Sequence, residues 1–555
     1  KDIKPPFEMR PVSQLSHGLD RVLFSPGVHW LQDPHSKVYN YNPELQILPD
    51  VKDFAFERLP EFIKSSQDRD LWRLAKTEDR KFTGSTSSLT GLLSHIYFLL
   101  SRDRLVDTSV LSTHYVNEAK TFTPGQRMPA SVLLTYDDGV YSTDSQSPFA
   151  SEEINVLTWL GHVLEAFLTT PSNKFSRFLR DSKDPMQDKD SRRQAYRYSK
   201  SDKFIMRSQL DGMDNRLPGT GIFDVKTRAT IPIRLDLMNW RANSGYMIKW
   251  MHGLYNSFER EYYDLIRSAF LKYSFQARIG NMDGVVVAYH NTKRMFGFQY
   301  CSLEEMEERL YGSSGRGERI FEKCVQILER IYTEATRAFP GQSVRILAEK
   351  YEVNSSLEVY VEPANEGKTT DANLETKPKP LKLFNVWVQH FLGEEARPVR
   401  HAAEAIQSTD KPWTISCTID ESALPIANLH AKKQEVLYRQ YRSYLLPEGA
   451  SPADVAARWG EYKVNPHSGG QMPEFDASRW QQPSPFVSML RKLAEENAAE
   501  MAQHDHKERH QPKVLHEWVK VASQGAFARK MRMRSPAERD GLGGSRQHTH
   551  AVEKL

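Results

Sequence analysis

The chain has 555 residues, of which 39% are hydrophobic, and it carries a formal net charge of +4 at pH 7. This length exceeds what one hydrophobic core supports and predicts two or three domains. The small net charge excludes a uniformly basic surface, so any nucleic-acid-binding surface must be a local patch. The three cysteines, Cys301, Cys324 and Cys417, lack the spacing of a zinc site or a disulfide framework, which favours a reducing or matrix-like compartment over secretion.

Composition and periodicity divide the chain into five predicted parts. The first two are an N-terminal accessory region over 1–150 and a central core over 151–362. A flexible insertion over 363–380 follows, then a C-terminal region of strands with a basic helix over 381–490 and a basic flexible tail over 491–555. The longest apolar stretch, Leu89 to Leu100, is too short to span a bilayer. Numbering begins at Lys1 rather than at a methionine, so we expect that an N-terminal targeting segment is missing.

A Ser/Thr cluster from Gly84 to Ser88 stands directly before the apolar stretch of the N-terminal region. Such a cluster is typical of a helix cap, and helix N-termini can also bind phosphate. Capping alone is the simpler interpretation of this cluster.

An amphipathic helix is predicted from about Ile154 to Leu168, because apolar residues recur there at helical spacing. Glu165 lies at the edge of the apolar stripe. Gly161, one turn earlier, is expected to let the helix approach a sheet closely. Taken alone, Glu165 could be an ordinary boundary carboxylate, and Glu152 and Glu153 are the alternative helix acids.

Two short strands follow the helix, and both carry acidic residues suited to holding a metal ion. Asp211 ends the first strand, and the second contains Asp224 and Lys226, which share a face because side chains alternate along a strand. Turn-forming residues over 212–220 allow the strands to lie antiparallel, with Asp211 close to Asp224. Neighbouring carboxylates repel each other unless a cation lies between them, and oxygen ligands suit Mg²⁺ or Mn²⁺.

An acid two residues before a lysine is common in this chain, so such a pair alone indicates little. Other pairs include Asp50-Lys52, Glu118-Lys120, Asp181-Lys183, Glu375-Lys377, Glu461-Lys463 and Asp505-Lys507. Only the pair at 224 and 226 lies in an apolar strand that follows both an acid-ended strand and a suitable helix. We therefore place the site there.

A helix acid, a strand acid and an Asp-x-Lys strand in this order resemble the PD-(D/E)XK nuclease fold. The run Gly161-His162-Val163-Leu164-Glu165 is similar to the first motif of its RecB-like branch. The resemblance implies an α/β fold, in which a mixed sheet flanked by helices forms the core and carries N-terminal and C-terminal extensions. The branch often adds a Gln-x-x-Tyr helix after the lysine strand. Here Asn243-Ser244-Gly245-Tyr246 matches this motif at Tyr246 and departs from it at Asn243.

The same resemblance implies a catalytic set and a metal site. The implied catalytic residues are Glu165, Asp211, Asp224 and Lys226. The metal would be held by Asp211, Asp224, the Val225 carbonyl and Glu165, and Lys226 would orient the attacking hydroxide.

The remaining elements are predicted in chain order. They are a helix near 244–272, a strand over 275–279 that turns into a second strand ending at 289, a helix over 318–338, strands over 383–391 and 413–419, and a helix near 427–445. Candidate substrate-binding residues lie in or near these elements: Arg207, Arg228, Tyr246, Gln276 and Arg278. For Gln276 and Arg278, ordinary surface pairing is an equal alternative to phosphate binding.

The helix near 427–445 interleaves cations with tyrosines. The residues concerned are Lys432, Lys433, Arg439, Arg442, Tyr438, Tyr441 and Tyr444. Cations for phosphates and rings for bases are typical of single-strand binding. A solvated amphipathic helix is the alternative.

Several longer strings make a second resemblance more specific. The segments His17 to Val28, Gly84 to Ser88, Gly221 to Ala229 and Ala288 to Thr292 are similar to the fungal mitochondrial membrane-associated mRNA-processing family of the PET (petite) group, and the likeness runs from about residue 15 to 345. It implies a metal-dependent 5′→3′ exoribonuclease that trims and degrades mitochondrial RNA and matures mRNA 5′ ends. It also implies a location in the matrix with peripheral association at the inner membrane.

The expected partner is single-stranded RNA bound through its 5′ end, together with the mitochondrial RNA polymerase or the RNA-decay machinery. Two alternatives remain open at this stage. One is a mitochondrial DNA nuclease of the same fold, because the motif does not distinguish ribose from deoxyribose. The other is a catalytically silent RNA-binding adaptor, against which the intact Asp211, Asp224 and Lys226 argue, since buried charges are costly to keep together without a role.

Overall fold

The computed structural model describes residues 1–59, 62–146, 156–183, 192–364, 379–408, 410–442, 484–507 and 514–515. The alternative helix acids Glu152 and Glu153, nearly all of the predicted insertion over 363–380, and the tail beyond residue 515 lie outside the described residues. Among those that are described, no helix combines the length and apolar content needed to cross a membrane.

The described strands form two sheets. They are β1 Asp2–Ile3, β2 Val28–Trp30, β3 Phe82–Ser85, β4 Ala130–Asp137, β5 Val140–Ser145, β6 Tyr196–Lys200, β7 Phe204–Gln209, β8 Gly212–Met213, β9 Ile222–Ala229, β10 Gly284–His290, β11 Met295–Ser302, β12 Val344–Glu349, β13 Leu357–Pro363, β14 Lys382–Leu392, β15 Arg397–Pro398 and β16 Trp413–Glu421. The large sheet has the order β1-β6-β7-β3-β5-β4-β12-β13-β14-β15, with β16 also pairing to β14. The small sheet has the order β2-β11-β10-β9-β8.

The helices cover both sheets. The α-helices are α1 Arg69–Thr77, α2 Thr86–Ser101, α3 Val156–Thr169, α4 Ser172–Phe175, α5 Ile231–Leu235, α6 Trp240–Asn243, α7 Phe258–Ser268, α8 Phe270–Gly280, α9 Leu303–Tyr311, α10 Gly317–Ala338, α11 Ala402–Gln407, α12 Ile426–Arg442 and α13 Pro485–Lys507. Both sheets are mixed, because β3 runs parallel to β5 and β7, and β9 runs parallel to β10, while the other pairs are antiparallel. The predicted class, α/β with mixed sheets flanked by helices, is confirmed.

The small sheet is buried on both faces. Val285 and Val287 of β10 pack into the large cluster that contains α2, α8 and α10, whereas Val286 and Ala288 pack against α3. A strand covered on both faces has a continuous apolar sequence rather than an alternating one, as β10 does. The small sheet is therefore held between α3 on one side and α8 on the other, and the site lies at its edge.

The predicted strand over 275–279 is wrong, because these residues belong to helix α8. The predicted helix near 244–272 is also wrong over its first half. A loop there includes Gly253 and Asn256 at positive φ, and Ser257 then caps α7, its side chain accepting a hydrogen bond from the Arg260 amide at 3.0 Å. Helix α8 is buried on most sides, which removes the polar face that would have marked it as helical.

Several other predicted elements are confirmed. Helix α10 and strands β14 and β16 match the predicted ranges closely, and α12 covers the described part of the helix near 427–445. At the start of α2, the Ser85 amide donates to Ser88 Oγ at 2.9 Å, which supports the capping interpretation of that cluster.

The structure departs from the predicted domain bounds in two regions. Strands β3 to β5, which precede residue 150, pair within the same sheet as β7 and β12, so both sides of that position share one sheet. The predicted flexible tail from residue 491 is wrong over 491–507, because α13 buries Leu490 and Ala494 against Tyr246. Arg491 Nε lies 2.6 Å from Asp236 Oδ2 and anchors the same helix. The other domain bounds stay predictions.

Candidate active site

The edge of strand β9 is where the predicted acids meet. Strand β8 pairs with β9 only at residues 222 and 223, so the β9 edge is open from Asp224 onward. The Val225 amide at this edge donates a hydrogen bond to Asp211 Oδ2 at 3.1 Å. The Asp211 carboxylate thus takes the place of a strand partner, which fixes it beside the Asp-x-Lys strand. The prediction that the strand before Asp211 lies antiparallel to β9 is wrong, because β7 ends at Gln209 and pairs with β3 and β6 in the large sheet.

Alternation along β9 places its two charged side chains together. Val225 packs toward α3, while Asp224 and Lys226 face α8. Lys226 Nζ lies 2.6 Å from Asp224 Oδ2, and the Asp224 side chain is 2% exposed. Gln276 of α8 donates from Nε2 to Asp224 Oδ1 at 3.1 Å, so both oxygens of this carboxylate have a cationic or amide neighbour.

Helix α3 contributes the third acid. Glu165 is half-buried and lines the same cleft as Asp211. Gly161 lies one turn earlier, where an added methyl would be 3.9 Å from Thr227 Oγ1, an ordinary contact distance. Gly161 was expected to let the helix approach the sheet closely, but an alanine would also fit at this distance, so the approach does not depend on the glycine.

The electrostatics of this cluster show an excess of acid. Burial raises the pKa of Glu165 to about 7; Lys226 opposes this rise and Asp224 adds to it. Burial, together with repulsion from Glu165 and Asp224, holds the pKa of Asp211 well above its ordinary value. Burial would lower the pKa of Lys226, but the attraction of Asp224 and Asp211 outweighs it, and the pKa is raised.

The donor set fits a hard divalent cation, because the carboxyl groups of Glu165, Asp211 and Asp224 lie close enough to raise the pKa values of the first two, and all three offer oxygen ligands. Within the described residues, however, no three His, Cys, Asp or Glu side chains stand at metal-ligand spacing. The Lys226 ammonium is the cation that contacts Asp224 in this structure. A metal bound by Asp224 would therefore compete with the lysine for that carboxylate.

A cleft of about 250 Å³ opens beside the acids. It lies between α3, the β7–β8 connection and the N-terminal segment, and its lining includes Arg10, Phe62, His162, Glu165, Gln209 and Asp211. The N-terminal wall is fixed in place, because the Met213 amide donates to the Ser13 carbonyl at 2.9 Å. The cleft gives a single chain segment access to Glu165 and Asp211.

Only one of the five predicted substrate-binding residues lies in this cluster. Gln276 contacts Asp224, whereas Arg207 is buried and ion-paired with Asp68. Tyr246 is also buried, and its hydroxyl accepts a hydrogen bond from the Asn256 amide at 2.6 Å.

The other two arginines are engaged elsewhere. Arg278 forms a bidentate salt bridge with Glu307, with both N–O distances at 2.7 Å. Arg228 is buried and donates a hydrogen bond to Ser268 Oγ at 3.0 Å. Sequence reasoning missed Tyr273, whose ring centroid lies 6.0 Å from Lys226 Nζ. The spacing of Tyr273 and Gln276, three residues apart, would have indicated a shared face once 270–280 was recognised as a helix.

The basic helix α12 does not offer the predicted cationic surface in its described part. Lys432, Lys433 and Arg439 form ion pairs with carboxylates of β12 and β13. Their partners are Glu358 at 2.9 Å, Glu362 at 2.6 Å and Glu349 at 2.6 Å. These pairings favour the alternative, a solvated amphipathic helix, for these three residues. Tyr444 lies outside the described residues.

Comparison with known proteins identifies the family of the chain. Residues 62–333 match the family model described as mitochondrial protein Pet127. The chain is 35% identical over 396 residues to the mRNA degradation protein pet127, mitochondrial, of Schizosaccharomyces pombe, covering 69% of this chain and 74% of that protein. The chain belongs to the Pet127 family. The resemblance to the PET group is thereby confirmed.

Other similar proteins are more partial matches. The putative mitochondrial translation system component PET127 of Saccharomyces cerevisiae is 38% identical over 343 residues, which is 58% of this chain but 41% of that protein. Among solved structures, Candida albicans Rai1 in complex with pU5-Mn²⁺ is 10% identical at a TM-score of 0.31, covering 65% of this chain and 93% of Rai1. Scheffersomyces stipitis Rai1 is 10% identical at a TM-score of 0.29, covering 62% and 90%. TM-scores this low do not establish a shared fold.

Proposed function

We propose that the protein is a metal-dependent exoribonuclease that trims and degrades mitochondrial RNA from its 5′ end and matures mRNA 5′ ends. The observation that carries this proposal is the surplus of carboxyls around one lysine at the open edge of β9. The name of the S. pombe relative, a mitochondrial mRNA degradation protein, supports RNA as the substrate. The 5′ polarity rests on the family resemblance.

The metal-holding residues would be Asp211, Asp224, the Val225 carbonyl and Glu165, with Mg²⁺ or Mn²⁺ as the ion. When bound, such an ion polarises the phosphate and lowers the pKa of its water. Gln276 orients Asp224 through the contact at 3.1 Å.

Two side chains are suited to handling protons and charge at neutral pH. Lys226 keeps its proton, because its pKa is raised, and it can donate hydrogen bonds to a phosphate oxygen or to the attacking water. Glu165 has a pKa of about 7, so it can take up or release a proton near neutral pH.

The proposal extends to place and partners. We assign the protein to the mitochondrial matrix, peripherally associated with the inner membrane, where it would meet single-stranded RNA together with the mitochondrial RNA polymerase or the RNA-decay machinery. The mitochondrial names of both relatives support the organelle. The membrane and polymerase associations rest on the family resemblance.

The test is cleavage of single-stranded RNA labelled at its 3′ end, carrying either a 5′-monophosphate or a 5′-hydroxyl, in Mg²⁺ or Mn²⁺. The Asp224→Ala, Lys226→Ala double variant removes one charge of each sign, so no lone charge is left at that position. The matched control is Asp50→Ala, Lys52→Ala, which removes the same two residue types from an exposed pair 3.3 Å apart.

We expect metal-dependent shortening from the 5′ end, lost in the site variant and kept in the control. Preferential cleavage of a DNA strand of the same sequence would favour the DNA nuclease instead. RNA binding without cleavage, equal in all three proteins, would contradict the exoribonuclease and favour the adaptor.

A further inference from the structure

We propose that Phe62 is a stacking platform for one nucleobase of the substrate strand. In this arrangement the cleft beside Glu165 and Asp211 holds a single nucleotide next to the phosphate that is cut. The inference rests on the proposed function and adds to it the part of the protein that recognises an unpaired base.

Phe62 is an exposed aromatic residue that lies in the same cleft as the acids. Its side chain is 53% exposed, and it lines the cleft together with Glu165 and Asp211. Isolated exposed apolar residues are common on proteins, so exposure alone indicates nothing. Stacking on a base requires an aromatic ring open to solvent, because every base presents a π-face. The Phe62 ring meets this requirement and lies in the same cleft as two acids.

Phe62 also differs from Phe24, the other strongly exposed phenylalanine among the described residues. Phe24 is 45% exposed, but the Arg216 guanidinium lies 4.8 Å from its ring centre and covers it. Among the described residues, Phe62 has no ring or cation partner of this kind. Its ring face is therefore available to a ligand.

The backbone beside Phe62 is fixed relative to the acids. Arg207 donates from Nη2 to the Ile63 carbonyl at 2.5 Å, and the same arginine is 1% exposed and ion-paired with Asp68. Arg207 belongs to β7, four residues before Asp211. One strand thus positions both the segment that carries Phe62 and a predicted metal ligand, so the backbone from which the ring projects is held near the acids.

The size and the remaining lining of the cleft suit one nucleotide of an unpaired strand. Its volume of about 250 Å³ is slightly below the roughly 300–1,000 Å³ of typical ligand pockets, so it does not admit a duplex. Polar side chains that can contact ribose and phosphate share the lining: Arg10, His162, Thr169 and Gln209. Stacking tolerates any base, which agrees with an enzyme that degrades RNA of varied sequence.

The test is a coupling measurement between the ring and the base. We would measure the affinity of the Asp224→Ala, Lys226→Ala protein, which is not expected to cleave, for short single-stranded RNAs by fluorescence anisotropy. One RNA in the set is intact, and each of the others has one abasic residue at a different position. The same measurements are repeated with Phe62→Ala, Phe62→Leu and Phe62→Tyr added, and with Phe24→Ala as the exposed-phenylalanine control.

With Phe62 present, we expect one abasic position to weaken binding by about 5- to 150-fold, the range that base–aromatic stacking supplies. Phe62→Ala and Phe62→Leu should bind intact RNA more weakly by a similar factor and should be insensitive to that abasic position. Phe62→Tyr and Phe24→Ala should keep the pattern of the protein with Phe62.

The inference is overturned if the abasic penalties are the same with and without the Phe62 ring, or if no abasic position matters. RNA cleavage by the unsubstituted protein together with either result would leave the proposed function standing. Absence of RNA binding and cleavage by the unsubstituted protein would instead overturn the proposed function, and this inference with it.

Discussion

Strand β9 passes through two charged clusters that differ in how their charges are balanced. Near its start, Asp224 joins Glu165 and Asp211 around the single ammonium of Lys226. Four residues later, Arg228 lies in a buried network whose other members are Arg234, Arg260, Glu261 and Asp264. The first cluster has an excess of carboxyls, whereas in the second cluster both carboxylates are paired with arginines; we call the second cluster the balanced network in this sense.

The two clusters respond to burial in opposite ways. Burial acts to raise the pKa of Asp264, but Arg234 and Arg260 outweigh it, so this pKa is lowered. At the first cluster, burial and like charges raise the pKa values of both Glu165 and Asp211. A network that stabilises the fold pairs its carboxylates, whereas this site keeps unpaired acid that a divalent cation would neutralise.

The largest expected effect is the loss of the balanced network. Arg234 lies 2.6 Å from Glu261 Oε2 and 2.9 Å from Asp264 Oδ2. We expect Arg234→Met to lower the free energy of unfolding by about 3–5 kcal/mol, because it removes the arginine that the buried carboxylates of Glu261 and Asp264 share. Urea denaturation followed by tryptophan fluorescence measures this.

The control for this variant is Arg69→Met. Arg69 forms an exposed pair with Asp137 at 2.5 Å, and its loss should cost about 1 kcal/mol or less. If both variants lost the same small amount, the distinction between a balanced network and an acid-rich site would have no energetic basis.

The second effect is expected at Asp211, where stability and activity should change in opposite directions. Asparagine keeps an oxygen that can accept the hydrogen bond from the Val225 amide but removes one charge from the acid surplus. We expect Asp211→Asn to raise the free energy of unfolding at pH 8 by about 1 kcal/mol or more, since a shift of one pKa unit corresponds to about 1.4 kcal/mol.

RNA cleavage by Asp211→Asn should fall by at least about 100-fold, comparable to the loss of one preorganised charge-stabilising group. Denaturation and cleavage assays on the same preparation measure both effects. A variant that is destabilised at pH 8 would show that the Asp211 charge is already neutralised by groups of the protein. That result would contradict the excess of acid at this cluster.

The acid-rich cluster was largely predictable from the sequence, and the balanced network was not. Alternation along β9 correctly placed Asp224 beside Lys226, and Asp211 lies at the β9 edge as expected, although the strand before it pairs in the large sheet and not with β9. Both inferences concern residues within about 15 positions of each other, where local geometry decides.

Long-range partners explain the failures. Arg207 was predicted to bind substrate because it precedes Asp211, yet its partner Asp68 is 139 residues away in sequence. Helix α8 was mistaken for a strand because it is buried on most sides, so its apolar pattern has no clear helical period. The contact of Gln276 with Asp224 follows from that helix.

The third expected effect is a dependence of metal-induced stabilisation on pH. A carboxyl whose folded pKa is raised stabilises the fold below its unfolded pKa, and that contribution is lost as pH rises through the folded pKa. For Glu165 this window runs from its ordinary 4.5 to about 7. Ionised carboxylates are the form that binds metal, so Mg²⁺ or Mn²⁺ should offset the loss.

We therefore expect metal to raise the melting temperature more at pH 8 than at pH 5.5. The corresponding stabilisation at pH 8 is about 2–3 kcal/mol when the metal is at 100 times its Kd. Differential scanning fluorimetry at both pH values, with and without metal, measures this. The Asp211→Asn variant should show a smaller metal effect, and an equal effect at both pH values would contradict the assignment of these acids as ligands.

The smallest effect tests whether α3 can be made more stable without disturbing the acid-rich cluster that it supports. A methyl added at Gly161 would be 3.9 Å from Thr227 Oγ1, so Gly161→Ala should raise the free energy of unfolding by about 0.5–1 kcal/mol through helix propensity, with cleavage unchanged. Gly297→Ala is the contrast, because its methyl would be 2.3 Å from the His29 carbonyl oxygen and should destabilise β11. Loss of RNA cleavage in a stabilised Gly161→Ala protein would mean that the position of Glu165 depends on a closer approach of α3 to the sheet than these contacts indicate.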